Sequence, residues 1–118
     1  MEILKLGGSV VTHKDRPKTP NTEAIRRLAS EVAIAGPRKL VVVHGGGSYG
    51  HPLAKEYDIS AGYSSPRQLA GFSLTHQAMV ELNRIVVEAF LDAGIPAVSI
   101  APSSFIVTED RRIVNVDF

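Results

Sequence analysis

The stretch Leu40-Val41-Val42-Val43-His44-Gly45-Gly46-Gly47-Ser48-Tyr49-Gly50-His51 decides the fold. Four apolar, mostly β-branched residues run without a polar interruption, which suits a strand covered on both faces. Glycines then end the strand, and Ser48 opens a helix expected to reach Tyr57. The order strand, glycine loop, helix aims backbone N–H groups and a helix N-terminus at one point, an arrangement suited to an anion.

The flanking sequence repeats this logic. Upstream, Ile3-Leu4-Lys5-Leu6 is a short apolar run that stops at Gly7-Gly8-Ser9 and reads as another buried strand. His13 to Pro20 is polar, contains two prolines and reads as a loop. A helix follows from Asn21 to Ala35, with Ile25, Leu28, Ala29 and Val32 at helical steps and Gly36-Pro37 as its stop. Downstream, Asp58 to Ser65 is a loop, and Ser65-Pro66 starts a helix that can run to Ala93, before Gly94. Leu69, Phe72, Met79, Leu82, Val86 and Phe90 trace one face of it, and Gly71 is a candidate break or kink. Ala97 to Ile100 reads as a third strand. Phe105-Ile106-Val107 and Arg112-Ile113-Val114 flank Thr108-Glu109-Asp110-Arg111 as a hairpin, and Asp117-Phe118 reads as the start of a further element.

Helical crossovers between apolar strands predict an α/β fold, a mostly parallel sheet sandwiched by helices, with a β-hairpin near the C-terminus. Ligands sit at the carboxyl ends of strands in such sheets. Both glycine clusters fall there, on one edge.

Composition narrows the functions. The 118 residues are enough for one domain, and 44% apolar with 21% charged residues is a globular balance. Thirteen Lys+Arg against twelve Asp+Glu give a net charge of +1, so neither a nucleic-acid footprint nor a polybasic membrane patch is present. With no Cys, disulfides, thiolate metal sites and thiol nucleophiles are excluded. No apolar run approaches the roughly 18 residues of a membrane span, and no leader pattern opens the chain, so a cytoplasmic protein is expected.

Gly45 to Gly50 matches G-x-G-x-x-G, the dinucleotide fingerprint. That reading also needs an acid about 20 residues on, at the end of the next strand. Between Asp58 and Glu81 there is no acid, and the segment reads as a helix. What survives is phosphate binding: three consecutive glycines with Ser48 and a nearby histidine favour an anion site over a mere tight turn. In the first cluster, Lys5 lies inside an apolar strand, where an ammonium without a partner is costly. An edge-strand lysine reaching into water would explain it, but its place two residues before Gly7 favours a cation aimed at the same anion. No Walker A loop occurs. Lys14 is close enough to Ser9 to fold back over the site, whereas Arg16 and Lys18 read as solvated surface. His51, next to Gly50 at the helix N-terminus, is within reach of an anion. His13 and His76 read as surface residues and His44 as a structural residue at a strand end.

Together these residues resemble the amino acid kinase family, and within it the isopentenyl phosphate kinases. Ile3 to Thr12 with Lys14 is similar to that group's N-terminal nucleotide-phosphate loop. Val43 to His51 is similar to its second glycine loop, including the histidine that marks it. Gly71 to His76 and Gly94 to Ser99 are similar in order and spacing, so the resemblance covers essentially the whole chain.

The resemblance implies that Lys5, Leu6, Gly7, Gly8 and Ser9 contact the ATP phosphates, with Gly47 helping from the other loop. It implies that Lys14 stabilises the transferring phosphoryl group, and that Gly45, Gly46 and His51 hold the phosphate of isopentenyl phosphate. Lys5, Lys14 and His51 are then the catalytic set. A short hydrocarbon tail would lie near Phe72 and Thr75, while Met79 reads as core. The implied activity is ATP-dependent phosphorylation of isopentenyl phosphate to isopentenyl diphosphate, with Mg²⁺ as cofactor and a homodimer as the full-length state. The same residues leave room for a fosfomycin-type or other small-acid kinase, or for a non-catalytic phosphate-binding half-domain. The family's catalytic domain is larger than this chain. Residues 1–118 are therefore expected to be the N-terminal, acceptor-binding half, without the ATP-binding half.

Overall fold

In the computed structural model, which describes residues 1–36 and 39–117, the chain begins with two parallel strands. β1 (Glu2–Leu6) pairs with β2 (Leu40–His44) in the register Glu2 to Leu40 through Leu6 to His44. Alternation along the strands sorts the side chains into two sets. Leu4, Leu6, Leu40, Val42 and His44 face the helices and are buried or half-buried. Ile3, Lys5, Val41 and Val43 form an opposite face that is exposed among the described residues.

Between the strands runs α2 (Thr22–Ala35), as its periodicity predicts. The side chain of Asn21 caps it by accepting from the Ala24 N–H at 3.2 Å, and Gly36 ends it in a left-handed conformation. Pro37, the other half of the expected stop, lies outside the described residues, as does Phe118. After β2 come α3 (Gly47–Glu56; a four-residue turn of helix, α1, Gly8–Val11, precedes α2) and then α4 (Pro66–Asp92). The expected loop at 58–65 holds a single 3₁₀ turn, Ile59–Ala61. The buried Gln68 ties this segment to α4: its Oε1 accepts from Ser64 N at 2.6 Å and Ser65 N at 3.1 Å, and its Nε2 donates to Asp58 O at 3.1 Å.

The core lies where α2, α3 and α4 meet the inner strand face. Leu6, Val11, Ile25, Ala29, Tyr49, Ala78, Leu82, Val86 and Phe90 are buried in one cluster. Gly71 does not interrupt α4. It is where α4 meets α3: a Cβ there would lie 2.2 Å from Tyr57 Cβ. At the other end of the contact, Met79 covers Gly46 and Gly50. α3 and α4 are therefore antiparallel, with the glycine loop at the Met79 end.

The third strand is a correction. Residues 97–100 form no strand: Val98 is 84% and Ile100 69% exposed, and no neighbouring strand offers them a ladder. An apolar run becomes a strand only when its N–H and C=O groups find partners, and β2 has its described partner in β1 alone. The C-terminal hairpin does form, from β3 (Ile106–Glu109) and β4 (Arg112–Val116). Its turn is narrower than expected. Asp110 and Arg111 both have positive φ (46° and 64°), the two-residue turn that matches strand twist. Among the described residues, no helix is long and apolar enough to cross a membrane.

Candidate functional site

The two glycine clusters meet at the carboxyl ends of β1 and β2, as the order of elements requires, and they meet backbone to backbone. A Cβ on Gly8 would lie 2.5 Å from Gly47 N, and one on Gly45 would lie 2.6 Å from Gly8 N. Neither position tolerates a side chain unless a backbone moves. Gly47 adds a second constraint, because its φ of +46° is in the left-handed region. The Gly45 N–H donates to Leu6 O at 2.9 Å and so joins the second loop to the end of β1.

Thr12, 1% exposed, fastens the loops from beneath. Its hydroxyl donates to Gly8 O at 2.7 Å and accepts from the Ser48 N–H at 3.0 Å. One side chain thus satisfies a carbonyl of the first loop and a helix-end N–H of the second. Ser48 extends the junction. Its carbonyl accepts from Lys18 N at 3.0 Å, and its hydroxyl accepts from Thr19 N at 3.3 Å. The 13–20 loop is closed by the Thr12–Pro20 bridge and is therefore anchored to the glycine edge. Lys18 is exposed, as expected, but has a second role. Its backbone docks on Ser48, and its ammonium lies 3.5 Å from the Glu81 carboxylate, an exposed pair worth little by itself.

These contacts leave donors to spare. Among the described residues, the N–H groups of Gly8, Ser9, Gly46 and Gly47 donate to no protein acceptor. Four N–H groups at the ends of two parallel strands form an anion-accepting edge. The predicted cations surround it unevenly. Lys5 stands opposite Val43 on the exposed sheet face, two residues before Gly7. Lys14 is exposed on the anchored loop. His51 is exposed on α3, beside an open hollow of about 370 Å³ that Ala54, Lys55, Asp58 and Ser60 also line. No hydrogen bond or ion pair joins Lys5, Lys14 and His51 to one another among the described residues. Phe72 is 51% exposed on α4, and Thr75 is half-buried with its hydroxyl donating to Gly71 O at 2.8 Å. With Met79 they occupy one side of α4, leading away from the second glycine loop. Met79, read as core, is only half-buried and packs on that loop.

Tyr49, buried beneath the second loop, has its phenol pushed above the ordinary value by burial, with the Glu81 carboxylate adding to the effect. A larger hollow of about 800 Å³ lies at the amino ends of the strands, lined by Ile3, Leu4, Val32 and Leu40 among others. It is at the wrong end of the sheet for the glycine chemistry. No cluster of three His, Asp or Glu among the described residues could hold a metal.

Sequence reasoning missed Thr12 as the fastener. Its signal was available: a polar β-branched residue directly after Val10-Val11, four residues past Gly8. His44 is more connected than a generic strand-end residue, with ring contacts to Gly45 O and Asn83.

The amino acid kinase family model matches residues 1–117. The chain belongs to the amino acid kinase family. It is 44% identical to the isopentenyl phosphate kinase of Methanothermobacter thermautotrophicus, over 99% of this chain and 46% of that protein. It is 38% identical to that of Methanocaldococcus jannaschii, over 98% of this chain and 48% of that protein. Among solved structures, one of isopentenyl phosphate kinase superposes with a TM-score of 0.91 at 44% identity, over 99% of this chain and 49% of the other. The Thermoplasma acidophilum isopentenyl phosphate kinase product complex superposes at 0.81 and 38% identity, over 96% and 47%. This amino acid kinase chain thus spans about half the length of the relatives it matches.

Proposed function

We propose that the whole protein transfers the γ-phosphoryl group of ATP to isopentenyl phosphate, and that residues 1–118 supply the acceptor-binding half. The observation that carries this is the interlocked pair of glycine loops with four N–H groups directed to no protein acceptor, followed by His51. The acceptor is a phosphate monoester whose second pKa is about 6, so at neutral pH it is already an anionic nucleophile. It needs no carboxylate base, and neither glycine loop contains one. The difficulty is bringing two polyanions together, and fixed donors and cations answer it.

In this reading Gly8 and Ser9 N–H groups take ATP phosphate oxygens, with Leu6, Gly7 and Gly47 shaping that side. Lys5 reaches the same phosphates from β1, and Lys14 comes over the transferring group from the anchored loop. Gly45, Gly46 and His51 hold the acceptor phosphate. Its hydrocarbon tail follows α4 toward Thr75 and Phe72. Mg²⁺ neutralises phosphate charge when it is bound. No group of three His, Asp or Glu among the described residues could hold it. The reaction belongs in the cytoplasm, and the full-length enzyme is read as a homodimer.

A substrate panel tests the reading. Full-length enzyme with ATP should phosphorylate isopentenyl phosphate in preference to fosfomycin and small carboxylic acids. Preference for fosfomycin would move the assignment to that kinase group. The 118-residue chain alone should bind isopentenyl phosphate without turning it over, and turnover by it would contradict the division into halves.

A further inference from the structure

A hydrogen-bonded line runs from the C-terminal segment into the second glycine loop. Ser99 Oγ donates to Asn83 Oδ1. Asn83 Nδ2 lies 3.0 Å from His44 Nε2, and His44 Nδ1 lies 3.1 Å from Gly45 O. The partners assign the protons. A carbonyl oxygen only accepts, so His44 Nδ1 carries a hydrogen. Ser99 occupies Asn83 Oδ1, so Asn83 turns its N–H₂ toward His44, and Nε2 must accept. The ring therefore donates from Nδ1 and accepts at Nε2.

This arrangement controls one donor. The Gly45–Gly46 peptide is trans, since no peptide bond in the described chain is cis. In a trans peptide the C=O and the following N–H point in opposite directions. When His44 holds Gly45 O, the Gly46 N–H is turned the other way, and among the described residues it has no protein acceptor. Gly46 has no side chain to fix its orientation, so the peptide plane needs an outside hold.

We propose that Asn83 is a positioning residue for the acceptor phosphate. It holds the His44 ring in place with Nδ1–H on Gly45 O, and His44 in turn aims the Gly46 N–H. The proposal rests on the acceptor reading above for what the N–H binds, but the network itself does not.

The test uses the full-length protein and two readouts. Imidazole ¹⁵N NMR of the wild type should show His44 in the Nδ1–H form, and an Nε2–H form would overturn the network whatever the enzyme phosphorylates. In Asn83→Leu, which keeps the volume and removes the donor, the KM for isopentenyl phosphate should rise about ten-fold, the scale of one misaligned hydrogen bond, with the KM for ATP unchanged. Asn83→Asp should restore most of the acceptor KM, because a carboxylate holds a doubly protonated ring whose Nδ1–H still meets Gly45 O. Acceptor KM at the wild-type value in Asn83→Leu, or equal losses for both substrates, would overturn the proposal. Wild-type enzyme inactive on isopentenyl phosphate but showing the Nδ1–H form would overturn the functional reading and leave the network standing.

Discussion

The glycine edge and the C-terminal segment are both built from strands rich in Ile and Val or Leu, yet they end differently. At the glycine edge each strand end finds a partner within the chain: Gly45 N–H on Leu6 O, Gly8 against Gly47, and Thr12 between Gly8 and Ser48. From Val98 onward the apolar residues find few. Val98, Ile100, Ile113 and Val114 are exposed, and among the described residues the hairpin pairs only with itself. The same residue types give a rigid site where neighbours satisfy the backbone and a bare surface where they do not. Structure at the first region is thus a property of mutual contacts, and damage there should propagate to function. Damage to the hairpin should not.

Gly8→Ala breaks the contrast most severely. The added methyl meets the backbone of Gly47, which no rotamer can relieve. We expect a loss of about 1–3 kcal/mol in urea unfolding, and turnover by the full-length enzyme falling about 100-fold as the loops separate. Wild-type turnover would show that the loops need not touch. Thr12→Val keeps shape but leaves the Ser48 N–H without its partner, while Gly8 O keeps the backbone N–H of residue 12. A loss of about 1–3 kcal/mol is expected, measured the same way, and a neutral result would mean that water replaces the hydroxyl.

A smaller effect should appear at high pH. Burial holds the Tyr49 phenol above its ordinary pKa of about 10, so the folded state holds its proton more tightly than the unfolded one. Stability from this group is fully present below pH 10 and declines as pH rises through the folded pKa. The melting temperature should fall above that pH in the wild type, and less steeply in Tyr49→Phe. Identical profiles would remove Tyr49 from the account. At the other end of the comparison, Ile113→Ser on the exposed β4 should change stability by no more than about 0.5 kcal/mol. A large loss would show that the hairpin is not the independent piece it looks to be.

The sequence made some of this legible and not the rest. β1, β2, α2 and α4 could be read because apolar period, caps and glycine stops all agreed, as at Asn21, Gly36 and Ser65-Pro66. Both glycine loops were also legible, together with the edge they share. The strand expected at 97–100 failed because a run such as Ala97-Val98-Ser99-Ile100 records a preference for pairing without supplying a partner. Gly71 looked like a helix breaker and is instead a clearance for Tyr57, a contact that only the antiparallel packing of α3 and α4 creates. Thr12 and Asn83 were hidden for a similar reason, since their partners at Ser48 and His44 lie 36 and 39 residues away.

The most direct test of the central claim is steady-state kinetics of His51→Ala in the full-length enzyme, with each substrate varied in turn. The proposed function puts His51 on the acceptor side, and the side chain is exposed, so its loss should leave the fold intact. The account predicts a KM for isopentenyl phosphate raised at least about ten-fold with the KM for ATP unchanged, as expected for losing a hydrogen bond to a charged group. Wild-type acceptor kinetics in this variant would contradict it.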